Sequence, residues 1–207
     1  MRRLIVMDVD STFIENEQID LLAQFAGTGE QVAHITHRAM SGELDFAQSL
    51  KERVATLKGL PETVLEDVQQ QISFTPGAVE LVDQCTERGW VVGLVSGGFH
   101  EVIDPLVAHL PIRYVRANHL EVIDGKLTGN LQGRIVDRQA KADLLRIFAE
   151  TEQIPLQETV AIGDGANDLD MLASAGLGVA FQAKPVVAQQ ADISLPGPRL
   201  DDVLAHL

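Results

Sequence analysis

The chain has 207 residues, 45% hydrophobic and only 4% aromatic, enough to bury a sizeable core packed mainly by aliphatic side chains. A formal charge of −14 repels phosphate backbones and anionic lipid, so nucleic acid and membrane are poor partners; an anionic small molecule fits only where local cations or a metal reverse the field. With Cys85 as the single cysteine, no spanning apolar run, and "LIVM" too short for a secretory leader, the sequence reads as a soluble protein of a reducing, cytoplasmic compartment.

In chain order, "LIVM" (4–7) predicts a first strand buried on both faces, and it runs straight into Asp8, Val9 and Asp10. From 15 to 73 no strand-like run occurs. Instead Ile19, Leu22, Ala23 and Ala26 form one helical stripe, Phe46, Leu50, Arg53 and Leu57 a second, and Leu65, Val68 and Ile72 a third. His34 and His37 have the spacing of a metal pair, but no third ligand adjoins them, and a surface helix face is the better reading. "TPGAVELVDQCTERG" predicts a helix capped by Thr75, with Pro76 in its first turn, Cys85 as a small core residue and Gly89 as its stop. Strands follow at 90–95 and 111–115, and "LEVIDGKLTGNL" reads as a separate hairpin turning at Asp124-Gly125. "DRQAKADLLRIFAE" puts Lys141, Leu144, Leu145 and Phe148 on one helix face, and two more strands are predicted at 159–163 and 176–181. This alternation implies a doubly wound, Rossmann-like α/β core made of residues 1–14 and 74–207. The helical insertion, 15–73, would lie beside the carboxyl ends of the strands, where ligands bind in such sheets.

Asp8 and Asp10 both project to one side of an extended segment, so their charges require a cation close by. Turn-forming aspartates are common, but two beside a hydrophobic run are less easily explained that way. In "VAIGDGANDLDM", Asp164 and Asp168 follow another strand; alone they could be helix-capping residues, but with Asp8 and Asp10 they form an oxygen-donor set suited to Mg²⁺. Ser96, Gly97 and Gly98 after a third strand read as an ordinary glycine turn or, at a strand-to-helix junction, as an anion cradle. Lys141 opposes the dipole at its helix start, which suggests a cation held over an anionic site rather than a stem laid on the core. Glu17 and Arg53 could be solvated edge charges; on a lid they would grip an ammonium and a carboxylate.

The ordered set "DVDST", helical insertion, "SGG", lysine and "GDGAND" resembles the haloacid dehalogenase-like phosphatases, and essentially the whole chain is similar, within them, to the family that hydrolyses phosphoserine. It resembles that family's short form, without an N-terminal regulatory extension. The resemblance implies Asp8 as nucleophile, Asp10 as proton donor and acceptor, and one Mg²⁺ on Asp8, Asp164 and the Asp10 main-chain carbonyl, supported by Asp168. It implies that Ser96, Gly97 and Lys141 hold the phosphoryl oxygens and that Asn167 orients the phosphate. Residues 15–73 become a cap, in which Glu17 meets the substrate ammonium, Arg53 its carboxylate, and Met40 and Phe46 line the lid. A related phosphatase for another small phosphate ester, and a phospho-aspartate signalling module, are the competing readings.

Overall fold

The computed structural model describes residues 2–207. Seven strands form one sheet: β1 (Leu4–Met7), β2 (Val91–Phe99), β3 (Tyr114–Ile123), β4 (Lys126–Gln132), β5 (Thr159–Gly163), β6 (Leu177–Phe181) and β7 (Ile193–Leu195), in the order β4-β3-β2-β1-β5-β6-β7. All neighbours are parallel except β3 and β4. Nine α-helices accompany them among the described residues: α1 (Gln18–Ala26), α2 (Gly29–Met40), α3 (Phe46–Ala55), α4 (Val64–Gln71), α5 (Ala78–Glu87), α6 (His100–Val107), α7 (Arg138–Thr151), α8 (Leu169–Ser174) and α9 (Pro185–Ala188). None of the described helices is long and apolar enough to cross a membrane.

The central strand shows why the sheet is doubly wound. Every residue of β1 is fully buried, and successive side chains enter opposite layers. Ile5 and Met7 join α5 and α6 through Leu81, Val82, Cys85 and Ile103, whereas Leu4 and Val6 join α7 and α8 through Leu145, Phe148 and Leu172. Burial among these aliphatics pushes the Cys85 thiol up to about 12, so this cysteine behaves as a core residue.

Helices α1 to α4 build a separate cluster around Leu22, Val32, Leu50, Val54, Leu57 and Val68. Phe99 and Val102 from the end of β2 and from α6 complete it, with Leu120 and Leu127 from the β3–β4 hairpin. The chain leaves β1 through a tight turn at Val9–Phe13, in which Ser11 takes the left-handed φ of 57°. It returns beside its own exit. Ile14 bridges Phe74, the Glu15 N–H donates to the Ser73 carbonyl (2.9 Å), and the Thr75 N–H donates to Phe13 (3.0 Å).

Four expectations are revised. The helix after Thr75 begins at Ala78, not Pro76; Thr75 contributes its carbonyl, not its side chain, and Gly77 supplies the turn with φ 82°. Strand β2 is continuous to Phe99, so Ser96, Gly97 and Gly98 form a bulge within it, between the pairs Val95–Arg116 and Phe99–Asn118, rather than a turn after it. The strand expected at 111–115 starts at Tyr114 and runs on to Ile123, which makes the hairpin the edge of the main sheet. Its turn at Asp124-Gly125, with φ of 52° and 70°, is as expected. Strand β7 has only three residues, too short to register as an apolar run. His34 and His37 are exposed on α2.

Gly77 cannot carry a side chain. A Cβ there would stand 2.0 Å from Asp201 Oδ1 and 2.9 Å from the Asp201 main-chain nitrogen, and φ is already left-handed. Gly77→Ala should therefore cost about 2–4 kcal/mol, seen as a thermal midpoint lowered by roughly 5–10 °C in calorimetry. A change below about 1 °C would show that the α5 start relaxes freely.

Candidate active site

The functional side chains meet at the carboxyl ends of β1, β2 and β5. Asp8 follows β1 and is registered by its own N–H, which donates to the Ile162 carbonyl of the neighbouring β5 (2.9 Å). Its Oδ1 accepts the Val9 N–H (2.7 Å), and its Oδ2 lies 2.7 Å from the Lys141 ammonium. Lys141 comes from the first turns of α7, whose start is fixed by the Asp137 side chain accepting the Ala140 N–H (2.9 Å). The lysine is fully buried and also pairs with Asp168 Oδ1 at 2.7 Å. Asp168 Oδ2 accepts the Gly165 N–H (3.0 Å), and the missing side chain of Gly163 leaves room for this carboxylate. Asp164 Oδ1 accepts the Thr12 hydroxyl (3.1 Å).

Oxygens of Asp8, Asp164 and Asp168 lie within 4.8 Å of one another, an arrangement able to hold a cation. Both oxygens of Asp168 and both of Asp8 already have protein partners, whereas Asp164 is tied to Thr12 through Oδ1 alone. An all-oxygen set fits a hard divalent cation. The Asp10 carboxyl stands outside this cluster, as it must if only its main-chain carbonyl is to ligate.

Above these groups opens a cavity of about 630 Å³. Asp8, Asp10, Glu17, Met40, Phe46, Arg53, Gly97, Asp164 and Asn167 all line it. Most of the expected residues are thus brought to one space, although Glu17, Met40, Phe46 and Arg53 come from the insertion. Ser96 and Lys141 are fully buried and lie beneath the lining; the Ser96 hydroxyl accepts the Gly98 N–H (2.8 Å). Phe46 closes over Gly97, where a Cβ would stand 3.0 Å from the ring. Met40 is 70% exposed at the rim. Glu17 accepts the Ser11 hydroxyl (2.6 Å), and Arg53 Nε donates to the Ser49 carbonyl of its own helix (3.3 Å).

Three participants were not anticipated. Gln18 is fully buried and holds Asp10 from its main-chain N–H (3.1 Å) and its side-chain amide. Nothing in the sequence distinguishes this glutamine from a surface residue of a first helical turn. Arg138, paired with Asp170 at 2.5 Å, and Lys184 also line the cavity. Arg138 lies close to Lys141 in the sequence and Lys184 adjoins no motif, and neither falls on an apolar stripe.

The electrostatics follow from burial. Desolvation and the Asp168 charge raise the Asp8 pKa well above the carboxylate range, against the pull of Lys141. Burial and the Glu17 charge push Asp10 up to about 7, and burial with Asp168 pushes Asp164 up to about 6. Burial disfavours the Lys141 ammonium, yet Asp168 and Asp8 overcome that and raise its pKa. Burial lowers Arg53, while the charges of Glu17, Asp20 and Asp10 oppose the shift. Three carboxylates therefore share one ammonium, and the excess negative charge calls for protons or a divalent cation.

Residues 5–173 match the model of the haloacid dehalogenase-like hydrolases, and the chain belongs to that family. Among its curated relatives, a phosphoserine phosphatase of Streptococcus thermophilus is 54% identical over all of this chain and 96% of the relative. Phosphoserine phosphatase SerB2 of Mycobacterium tuberculosis is 53% identical over 98% of this chain, which spans half of that longer protein. A solved structure described as a phospho-aspartyl intermediate analogue of phosphoserine phosphatase superposes with a TM-score of 0.93 at 43% identity, covering 100% of this chain and 99% of that one.

The raised carboxyl pKa values make a stability prediction. In the metal-free folded chain Asp10 and Asp164 keep protons that the unfolded chain releases near pH 4, so their contribution to stability is full below about pH 4 and is lost as pH rises through about 6 to 7. Thermal melts in chelator should show the midpoint dropping across this range, and a millimolar divalent cation should restore it most strongly at the upper end. A midpoint that rises with pH in chelator would contradict this charge balance.

Proposed function

We propose that this hydrolase converts O-phospho-L-serine into L-serine and phosphate, the closing step of serine synthesis, through a phosphorylated Asp8 and with Mg²⁺ as its metal. The observation that carries the reading is a buried Asp8 held by Lys141 at the floor of a cavity whose walls carry both Glu17 and Arg53. A zwitterionic amino-acid phosphate needs all three features at once. A simple phosphate ester needs only the first. In this reading residues 15–73 are a cap over a catalytic unit formed by 1–14 and 74–207.

Asp8 attacks phosphorus, forming an O–P bond while the serine ester O–P bond breaks, and Asp10 gives its proton to the leaving serine oxygen. Asp10 then takes a proton from water as that water's oxygen bonds to phosphorus and the Asp8–phosphorus bond breaks. A carboxyl titrating near neutrality suits both transfers. Lys141 and the Gly97 main chain offset charge on the phosphoryl oxygens, Ser96 supports them from beneath, and Asn167 orients the group. Asp8, Asp164 and the Asp10 main-chain carbonyl would hold Mg²⁺, which would supply further charge stabilisation to the phosphoryl group. Glu17 accepts from the substrate ammonium, Arg53 donates to its carboxylate, and Phe46 with Met40 excludes water.

A phosphate-release screen over small phosphomonoesters, with and without Mg²⁺, tests the assignment. Phosphoserine should turn over repeatedly and Asp8→Asn should abolish release; full activity in that variant, or a single stoichiometric turnover, would overturn the mechanism. Arg53→Ala should lower kcat/KM for phosphoserine roughly 10- to 100-fold, the cost of an unpaired buried carboxylate, with an aryl phosphate affected less than about threefold. Equal losses on both substrates would point to a different phosphate ester.

A further inference from the structure

We propose that Gln18 is a positioning residue whose side-chain amide, seated in the space left by Gly98, clamps the Asp10 carboxyl to the end of β2. The proposal rests on the reading of Asp10 as the proton carrier and adds how that group is held.

The geometry is a closed set of hydrogen bonds. Gln18 Oε1 accepts the Phe99 N–H at 3.0 Å, which fixes the amide's orientation, because an N–H can only meet the oxygen. Nε2 is thereby turned to Asp10, where it donates to Oδ1. The Gln18 main-chain N–H donates to Oδ2 at 3.1 Å, so both oxygens of Asp10 are held by one residue. No other hydrogen bond or ion pair to the Asp10 side chain exists among the described residues. Without Gln18, this carboxyl would be free to rotate in the turn after β1.

Space for the amide comes from Gly98. A Cβ at that position would lie 2.3 Å from Gln18 Nε2, 2.7 Å from Cδ and 2.8 Å from Oε1, so a single methyl would collide with the whole amide group. Gly98 does not have a positive φ. Its lack of a side chain therefore answers to Gln18, not to backbone strain. Gln18 also directly follows Glu17 at the start of α1, which ties the insertion's first helix to the sheet through the acid–base group. Misplacing a catalytic group by about 1 Å costs on the order of 100-fold in rate while leaving substrate contacts alone, so the clamp acts on turnover.

The test is a double-mutant cycle in the full-length chain with Mg²⁺. Gln18→Ala and Gly98→Ala should each lower kcat on phosphoserine about 10- to 100-fold with KM within about twofold. Because both remove one clamp, the combined variant should be no worse than either alone. Hydrogen exchange supplies a readout besides activity: the Phe99 amide should lose protection in both single variants, while Val92 and Leu94 in the same strand keep theirs. Gln18→Glu controls for folding. It retains an acceptor for Phe99, and so protects that amide, but sets an oxygen against Asp10 and should lose kcat as Gln18→Ala does. Multiplicative losses in the cycle, an unchanged kcat in Gln18→Ala, or full Phe99 protection in both single variants would overturn the proposal. If the unaltered chain released no phosphate from phosphoserine, the substrate reading would fall, and the clamp would still be decided by the Phe99 amide.

Discussion

The Lys141 ammonium, enclosed between Asp8 and Asp168 at 2.7 Å from each, is the constraint around which the site is organised. It ties together the ends of two parallel strands and the start of α7, three pieces of chain far apart in sequence. A charge with no exposure to water is tolerated only when paired and hydrogen-bonded, and removing one member of such a set leaves the others uncompensated at a cost of about 3–5 kcal/mol. The lysine is thus both a fixture of the fold and the cation paired with Asp8. It belongs to the buried face of α7 together with Leu145 and Phe148, so the helix that packs on the sheet also carries the ammonium to its place.

An acidic protein that handles an anion must solve a charge problem locally. This one concentrates the problem and its answer in one place. Asp8, Asp164 and Asp168 bring more negative charge than Lys141 can balance, so the cluster suits a divalent cation. Arg53 lines the same cavity as Glu17, Asp20 and Asp10, whose charges favour its cationic form. That alternation of sign is what a ligand carrying an ammonium, a carboxylate and a phosphate would match.

Much of this was legible in the sequence, and for physical reasons. Strands β1, β5 and β6 are unbroken apolar runs because both their faces are covered, and Lys141 stood out because it begins an apolar stripe at a helix start of the wrong polarity. The remainder depended on long-range packing. Gly77 looked like a residue inside a helix, because the obstacle that shapes its turn is Asp201, distant in the chain. Ser-Gly-Gly reads locally as a turn that ends a strand, but β2 resumes its pairing with β3 at Phe99 and Asn118, which makes the three residues a bulge inside the strand. Gln18 was silent because its partners, Asp10 and Phe99, converge only after β1 and β2 lie side by side. Residues that act on the substrate announce themselves by type and motif, whereas those that hold them in place are ordinary residues in unusual company.

The pairing of Ile14 with Phe74 carries a further consequence. A segment that departs and returns at one point is a topological bud: the sheet would close around its absence with no strand reordered and no crossover changed. Such a bud can be lengthened, trimmed or exchanged over evolutionary time while the sheet beneath keeps its register. The exchange is not wholly free, because Phe99, Val102, Leu120 and Leu127 form a socket that any replacement must fill with apolar side chains. The sheet thus constrains the segment it carries only at its two ends and through the shape of that one socket.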